Sequence, residues 1–126
     1  MKEMIYKNYK EVDILDEGVY KGFHYIIVSY GTHPCAYIEL TKENKYYGKD
    51  YNDIPVKCHG GLTYSSERGI IFPKNNENHR NGFWIGWDYA HLDDYMTWIG
   101  GCFGTKKWTT KEILKDVKGV IHQLGV

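Results

Sequence analysis

Three consecutive segments decide the fold: Tyr25-Ile26-Ile27-Val28-Ser29-Tyr30, Gly31-Thr32-His33-Pro34 and Cys35-Ala36-Tyr37-Ile38-Glu39-Leu40. The first is rich in β-branched and aromatic residues, the second contains turn-forming residues, and the third alternates in size and polarity. This pattern predicts a β-hairpin. Alternate residues of its second strand share a face of the sheet, with Ala36, Ile38 and Leu40 on one side and Cys35, Tyr37 and Glu39 on the other.

The C-terminal segment carries the clearest helix signal. Thr109-Thr110-Lys111-Glu112 matches a capping box, in which the threonine oxygen and the glutamate carboxylate each accept a free backbone N–H. Apolar residues then recur at helical spacing, at Ile113, Val117, Val120, Ile121 and Leu124. Gly119 lies inside this helix and costs about 1 kcal/mol relative to alanine. The sequence therefore predicts an α+β fold, an antiparallel sheet with a C-terminal helix packed on it.

Length and composition limit the class of protein. The 126 residues are typical of a single domain covering 1–126. Sixteen basic residues balance sixteen acidic ones, which argues against binding to a nucleic acid polymer or an anionic membrane surface. Three cysteines without close pairs give no zinc motif, and we expect no metal or other cofactor. The odd cysteine count and the absence of a signal-like N-terminus predict a cytoplasmic protein with reduced thiols.

The remaining segments are less regular. Residues 41–53 are polar and predict a loop, and the asparagine-rich segment 74–82 predicts an exposed one. Residues 54–58 predict a short strand at a sheet edge, because Pro55 cannot donate to a neighbouring strand.

Two eight-residue segments combine titratable groups, glycines and rings: Cys58-His59-Gly60-Gly61-Leu62-Thr63-Tyr64-Ser65 and Trp84-Ile85-Gly86-Trp87-Asp88-Tyr89-Ala90-His91. Glycine lets the backbone approach a ligand, and aromatic rings supply contact area. His59 at the start of the glycine pair can act as a base, a metal ligand or a hydrogen-bond donor. Alternatively, it is a turn histidine bonded to a neighbouring carbonyl.

Asp88 and His91 stand three residues apart, close enough for the carboxylate to meet the imidazole. Such a pair can orient a base, or complete a two-histidine, one-carboxylate metal site with His59. The competing interpretation is that Asp88 caps the turn by accepting the amide of Ala90 or His91. Capping is favoured, and the two roles are compatible.

The aromatic residues of the second segment divide between two faces. Phe83, Ile85 and Trp87 share one face and are assigned to the core. Trp84 shares the other face with Asp88, so we expect it to contact a ligand. Asp93-Asp94 predicts a solvent-exposed turn, and Cys35 a buried structural thiol.

The order of three motifs resembles a small family of uncharacterised proteins encoded by phages and prophages. The motifs are His33-Pro34-Cys35-Ala36-Tyr37-Ile38, His59-Gly60-Gly61-Leu62-Thr63-Tyr64 and Ile85-Gly86-Trp87-Asp88-Tyr89-Ala90-His91. Relatives commonly carry phenylalanine and cysteine at the positions of Trp87 and Tyr89. The resemblance implies a small protein of the host cytoplasm that interferes with host defence, by capturing a nucleotide signal or by blocking a protein.

Three functions remain open at this point. The first is a binding protein for a small polar, nucleotide-derived ligand, using seven residues: His59, Gly60, Gly61, Tyr64, Trp84, Asp88 and His91. The second is a hydrolase of a phosphodiester or glycosidic bond, with His59 and His91 as acid and base oriented by Asp88. The third is an inhibitor of a host defence enzyme that uses exposed tyrosines as anchors. A homo-oligomer is compatible with each.

Overall fold

The computed structural model describes residues 12–72, 79–91, 94–98 and 101–125, and for 96–98 and 101–103 it describes the backbone only. Five antiparallel strands form the main sheet in the order β1-β2-β3-β5-β4. They are β1 Asp13–Tyr20, β2 Phe23–Ser29, β3 Pro34–Leu40, β4 Tyr64–Ser66 and β5 Phe83–Asp88. β6 Met96–Trp98 and β7 Gly101–Phe103 form a second, two-stranded sheet, and α1 spans Thr110–Leu124. The predicted α+β fold is confirmed.

The predicted hairpin is the centre of the sheet. β2 and β3 pair in antiparallel register, with Ile27 opposite Ala36. β1 joins β2 through a two-residue turn at Lys21 and Gly22, which have φ angles of 49° and 83°. A turn with two positive φ values matches the right-handed twist of the strands it connects. The hairpin is therefore extended on one side by its own chain neighbour and on the other by β5.

Successive residues of a strand point to opposite faces of the sheet. Here both faces carry buried side chains. One face packs against α1, and its buried residues include Tyr25, Ile27, Ala36, Ile38, Leu40, Phe83, Ile85 and Trp87. The other face forms a second core of Val12, Ile26, Val28, Cys35, Tyr37, Ile70, Phe72 and Trp84. The assignment of Phe83, Ile85 and Trp87 to one core face is confirmed.

α1 begins and packs as its sequence predicts. Thr109 accepts the amide of Glu112, and the Glu112 carboxylate accepts the amide of Thr109, which completes the capping box. The five buried residues of the helix are the predicted apolar stripe: Ile113, Val117, Val120, Ile121 and Leu124.

Removing the cap should destabilise the protein by about 1 kcal/mol, because Thr109→Ala leaves the Glu112 amide without its partner. Chemical denaturation of the wild type and the variant measures this difference. Thr105→Ala serves as the control, since Thr105 is exposed and precedes the helix. Equal losses in the two variants would contradict the role of the cap.

The predicted strand at 54–58 is wrong. These residues are not part of either sheet, although Ile54 and Val56 are buried beneath α1. The alternating apolar pattern reports side-chain burial here and not strand pairing. Of the predicted exposed loop at 74–82, residues up to 78 lie outside the described part of the chain. Among the described residues, no helix combines the length and apolarity needed to cross a membrane.

Candidate functional site

The glycine pair forms a tight turn at the end of the 54–58 segment. The amide of Gly61 donates to the carbonyl of Cys58 over 3.0 Å, and Gly60 and Gly61 have φ angles of 68° and 80°. Such angles are costly for residues with a Cβ, so the two glycines are required by the backbone. The turn places His59 at its outer corner, next to α1.

Contacts with four residues fix the position of His59. Its backbone amide donates to Asp116 of α1 over 3.3 Å, and its Nε2 lies 2.6 Å from Asp94 Oδ2. Its ring stacks on Tyr89, with 4.9 Å between centroids and an interplanar angle of 3°. Trp108 approaches the same ring at 4.7 Å. The imidazole therefore has a fixed orientation.

Asp94 is the buried anchor of this arrangement, with an exposed fraction of only 2%. Its carboxylate accepts His59 Nε2, the His91 amide at 3.0 Å and Trp108 Nε1 at 2.8 Å. Burial alone would raise the pKa of Asp94, but these three donors outweigh it and hold the pKa below its ordinary value. The prediction that Asp94 lies in an exposed turn is wrong. Asp93 lies outside the described residues.

The ionised state of Asp94 fixes the tautomer of His59. A carboxylate accepts hydrogen bonds only, so His59 Nε2 must carry the proton it donates. The second ring nitrogen, Nδ1, makes no hydrogen bond within the described residues and is not sealed from solvent. His59 therefore presents one free nitrogen, which accepts a proton when the ring is neutral and donates one when it is charged.

Tyr89 joins the end of β5 to α1 beneath His59. Its hydroxyl donates to Asp116 Oδ2 over 2.7 Å and accepts Trp87 Nε1 at 3.0 Å. The side chain is fully buried, and burial raises the pKa of the phenol. Tyr89 is thus a neutral support for the His59 ring.

Asp88 and His91 lie where the sequence places them. Asp88 Oδ1 accepts the amide of Ala90 over 3.2 Å, so the predicted turn cap is confirmed. The same oxygen lies 3.3 Å from His91 Nε2, but the direction does not meet hydrogen-bond geometry. The His91 ring packs edge-on against His59, with 5.4 Å between centroids.

His91 Nε2 is sealed by the glycine turn. The atom is buried and lacks a hydrogen-bond partner among the described residues. A Cβ added to Gly60 would lie 2.1 Å from it. Because this nitrogen faces backbone, it cannot reach a ligand.

A groove of about 450 Å³ opens beside His59, between the 57–59 segment and α1. Its wall on the helix side includes Lys115, Gly119 and Gln123. Gln123 fixes the opposite wall, since its side chain accepts the amide of Lys57 over 2.6 Å and donates to the Lys57 carbonyl over 2.8 Å. The volume falls in the range typical of small-molecule sites.

The remaining predicted site residues lie away from this groove. Trp84 is 1% exposed in the second core, where its ring meets His24 edge-on at 4.9 Å. This corrects the expectation that Trp84 contacts a ligand, because its ring is covered on the far face of the sheet. Tyr64 donates its hydroxyl to the Gly69 carbonyl and, with Asp88, lines a separate cavity of about 240 Å³.

Two further expectations concern metals and thiols. Within the described ranges, no three His, Cys, Asp or Glu side chains are arranged to hold a metal ion, so the metal interpretation of His59, Asp88 and His91 gains no support. Cys35 is buried, and burial raises the pKa of its thiol, as expected for a structural cysteine.

Sequence reasoning missed four residues that shape the groove: Lys57, Asp94, Trp108 and Lys115. The hydrogen bonds Lys57–Gln123, His59–Asp94 and Asp94–Trp108 span 66, 35 and 14 positions along the chain, and no local pattern marks these residues. The one signal present was Gly119, an unfavourable residue inside a well-capped helix.

Comparisons of this chain with protein-family models, with curated proteins and with solved structures find no match.

Proposed function

We propose that this protein binds a small anionic, nucleotide-derived ligand in the groove beside His59. The observation that carries the proposal is the imidazole itself: a buried carboxylate orients it, one of its nitrogens is left without a hydrogen bond among the described residues, and His59 lines a groove of ligand size. Buried histidine–carboxylate pairs with one nitrogen left open are typical of sites that exchange hydrogen bonds with a ligand.

The charges that line the groove favour an anion. Glu112 pairs with Lys106 over 2.6 Å, and Asp116 accepts the hydroxyl of Tyr89 and the amide of His59. Both acidic groups are thus engaged with donors. Lys57 and Lys115 line the same groove and form no ion pair within the described residues. The cationic groups are therefore the ones left to meet a ligand.

Isothermal titration calorimetry with 5′-AMP, cyclic AMP and a cyclic dinucleotide tests this function. We expect His59→Ala to weaken binding at least tenfold, because the ligand loses a charge-assisted hydrogen bond. Lys115→Ala should weaken it by a similar factor. Absence of heat from all three compounds at millimolar concentration would end the proposal.

Lys118→Ala is the matched control for Lys115→Ala. It removes the same charge from the same helix, but Lys118 lies over the ring of Tyr20, away from the groove. The control should bind like the wild type. If both lysine variants lose affinity equally, general electrostatic attraction and not the groove accounts for binding.

A second function, hydrolysis of a phosphodiester or glycosidic bond, is favoured by the His59–Asp94 pair. A histidine oriented by an aspartate can act as a general base through its free nitrogen. In the acid–base pair of His59 and His91, the buried Nε2 atom of His91 cannot take part. Recovery of the ligand after denaturing the protein separates the two functions: intact nucleotide supports capture, and a cleaved product supports catalysis.

The biological setting that we propose rests on the resemblance to phage and prophage proteins. In that setting the ligand is a nucleotide signal of host defence, and binding lowers its free concentration. A protein that captures a signal need only hold it tightly, so a rigid site without a second catalytic group is sufficient.

A further inference from the structure

Gly119 is the one glycine inside a helix among those whose surroundings are described, and the fold itself does not explain it. Most of the others have positive φ angles or, like Gly18 and Gly86, have a protein atom within 3 Å of where a Cβ would stand, and Gly125 is the C-cap of α1. Gly119 lies in the middle of α1, and a Cβ added there would meet nothing within 4 Å. Alanine would fit and would favour the helix.

The bare backbone of Gly119 faces the groove beside His59. Glycine in a helix is useful where another molecule must approach the backbone closely. Within the described residues no protein atom makes that approach, so the space beside Gly119 is open to a ligand. The groove is therefore open at the position where any side chain would narrow it.

The residues that carry the cationic groups lie on either side of Gly119 along the groove. The 57–59 segment runs along α1, with His59 bonded to Asp116 and Lys57 bonded to Gln123. These two helix positions are seven residues apart, or about 10 Å of helix at 1.5 Å per residue. His59 and Lys115 thus lie toward one end of the groove, and Lys57 toward the other.

We infer that the groove takes an elongated ligand with two separate anionic groups, which lies across Gly119 with one group near His59 and Lys115 and the other near Lys57. This inference rests on the proposed function and specifies its ligand class. A single compact anion would use only one end of the groove. Its binding would not require a glycine at position 119.

Adenosine 3′,5′-bisphosphate and 5′-AMP distinguish a two-anion site from a one-anion site. We expect the bisphosphate to bind the wild-type protein at least tenfold more tightly than AMP. Lys57→Ala should reduce the bisphosphate to the affinity of AMP, with little change for AMP itself.

Gly119→Ala tests the role of the bare backbone. We expect it to weaken bisphosphate binding at least tenfold while raising the midpoint temperature of unfolding by a few degrees, because alanine favours the helix. Gly125→Ala, at the C-terminal end of α1 and outside the groove, should leave both affinities unchanged. Opposite effects on stability and binding cannot arise from misfolding.

Two results would overturn the inference. If AMP and the bisphosphate bind equally, or if Gly119→Ala binds like the wild type, the groove does not hold two anions across this residue. The proposed function would survive either result, provided that His59→Ala still weakens AMP binding at least tenfold. If neither compound binds at millimolar concentration, the inference and the proposed function fail together.

Discussion

Asp94→Asn should lower the free energy of unfolding by about 2–4 kcal/mol, the largest loss we expect from an isosteric substitution in this chain. Three donors converge on the Asp94 carboxylate, from His59, His91 and Trp108. Asparagine offers one oxygen and one NH₂ group, so at least one buried donor must face another donor. Urea denaturation at neutral pH measures the loss.

The effect of Asp94→Asn on the free energy of unfolding should depend on pH. Because the folded-state pKa of Asp94 is lowered, its contribution to stability is complete above the pKa of the unfolded chain, near 4. The contribution then decreases as the pH falls through the lower folded-state value. The stability difference between the wild type and Asp94→Asn should therefore shrink in acid, as the pH falls below about 4.

Asp53→Asn is the control for this prediction, since Asp53 is exposed in the Tyr51–Asp53 turn. We expect its stability to lie within about 0.5 kcal/mol of the wild type. If Asp94→Asn is as stable as Asp53→Asn, the buried hydrogen-bond network does not hold His59 in place.

Gly60→Ala is expected to have the second-largest effect, a loss of about 2–4 kcal/mol. Part of the cost is conformational, because alanine disfavours a φ of 68°. The rest is steric, because the new methyl group would stand 2.1 Å from His91 Nε2. Thermal or chemical denaturation measures the sum.

Gly61→Ala separates the two causes. Its φ of 80° is just as unfavourable to alanine, but its Cβ would meet nothing within 4 Å. We expect this control to cost about 1 kcal/mol. In a His91→Ala background, Gly60→Ala should become as mild as Gly61→Ala. Equal losses for the two glycines in the wild-type background would show that the turn does not pack on His91.

The elements that the sequence predicts correctly are those with local causes. The β2–β3 hairpin follows from two β-rich segments around a turn, and α1 follows from a capping box and a regular apolar stripe. The Asp88 cap spans only two residues. In each case the residues that determine the element lie close together in the sequence.

The elements that it predicts wrongly depend on distant partners. Asp94 has the composition of an exposed turn, and its contacts with Trp108 and His59, 14 and 35 positions away, place it in a buried hydrogen-bond network. The sequence predicts the correct face of β5 for Trp84, but Ile70 and Phe72 contribute to a second core that covers it. When a segment that is distant in the sequence buries a side chain, the residues next to that side chain do not predict its burial.

The approach of the two motifs was predictable in part. Glycines and histidines at two strand ends favour a shared site, and the rings of His59 and His91 do meet. The direction in which His59 faces was not predictable, because it depends on α1. The groove is formed by the 57–59 segment, Trp108 and the helix, not by the end of β5.

Long-range ¹H–¹⁵N NMR of the His59 imidazole, with and without 5′-AMP, shows whether Asp94 orients the ring so that Nδ1 meets the ligand. In the free protein we expect the neutral ring to carry its proton on Nε2, the atom bonded to Asp94. AMP should shift the Nδ1 resonance toward the protonated form and leave His24, on the other face of the sheet, unchanged. A proton on Nδ1 in the free protein, or a His59 ring that AMP does not affect, would contradict the account.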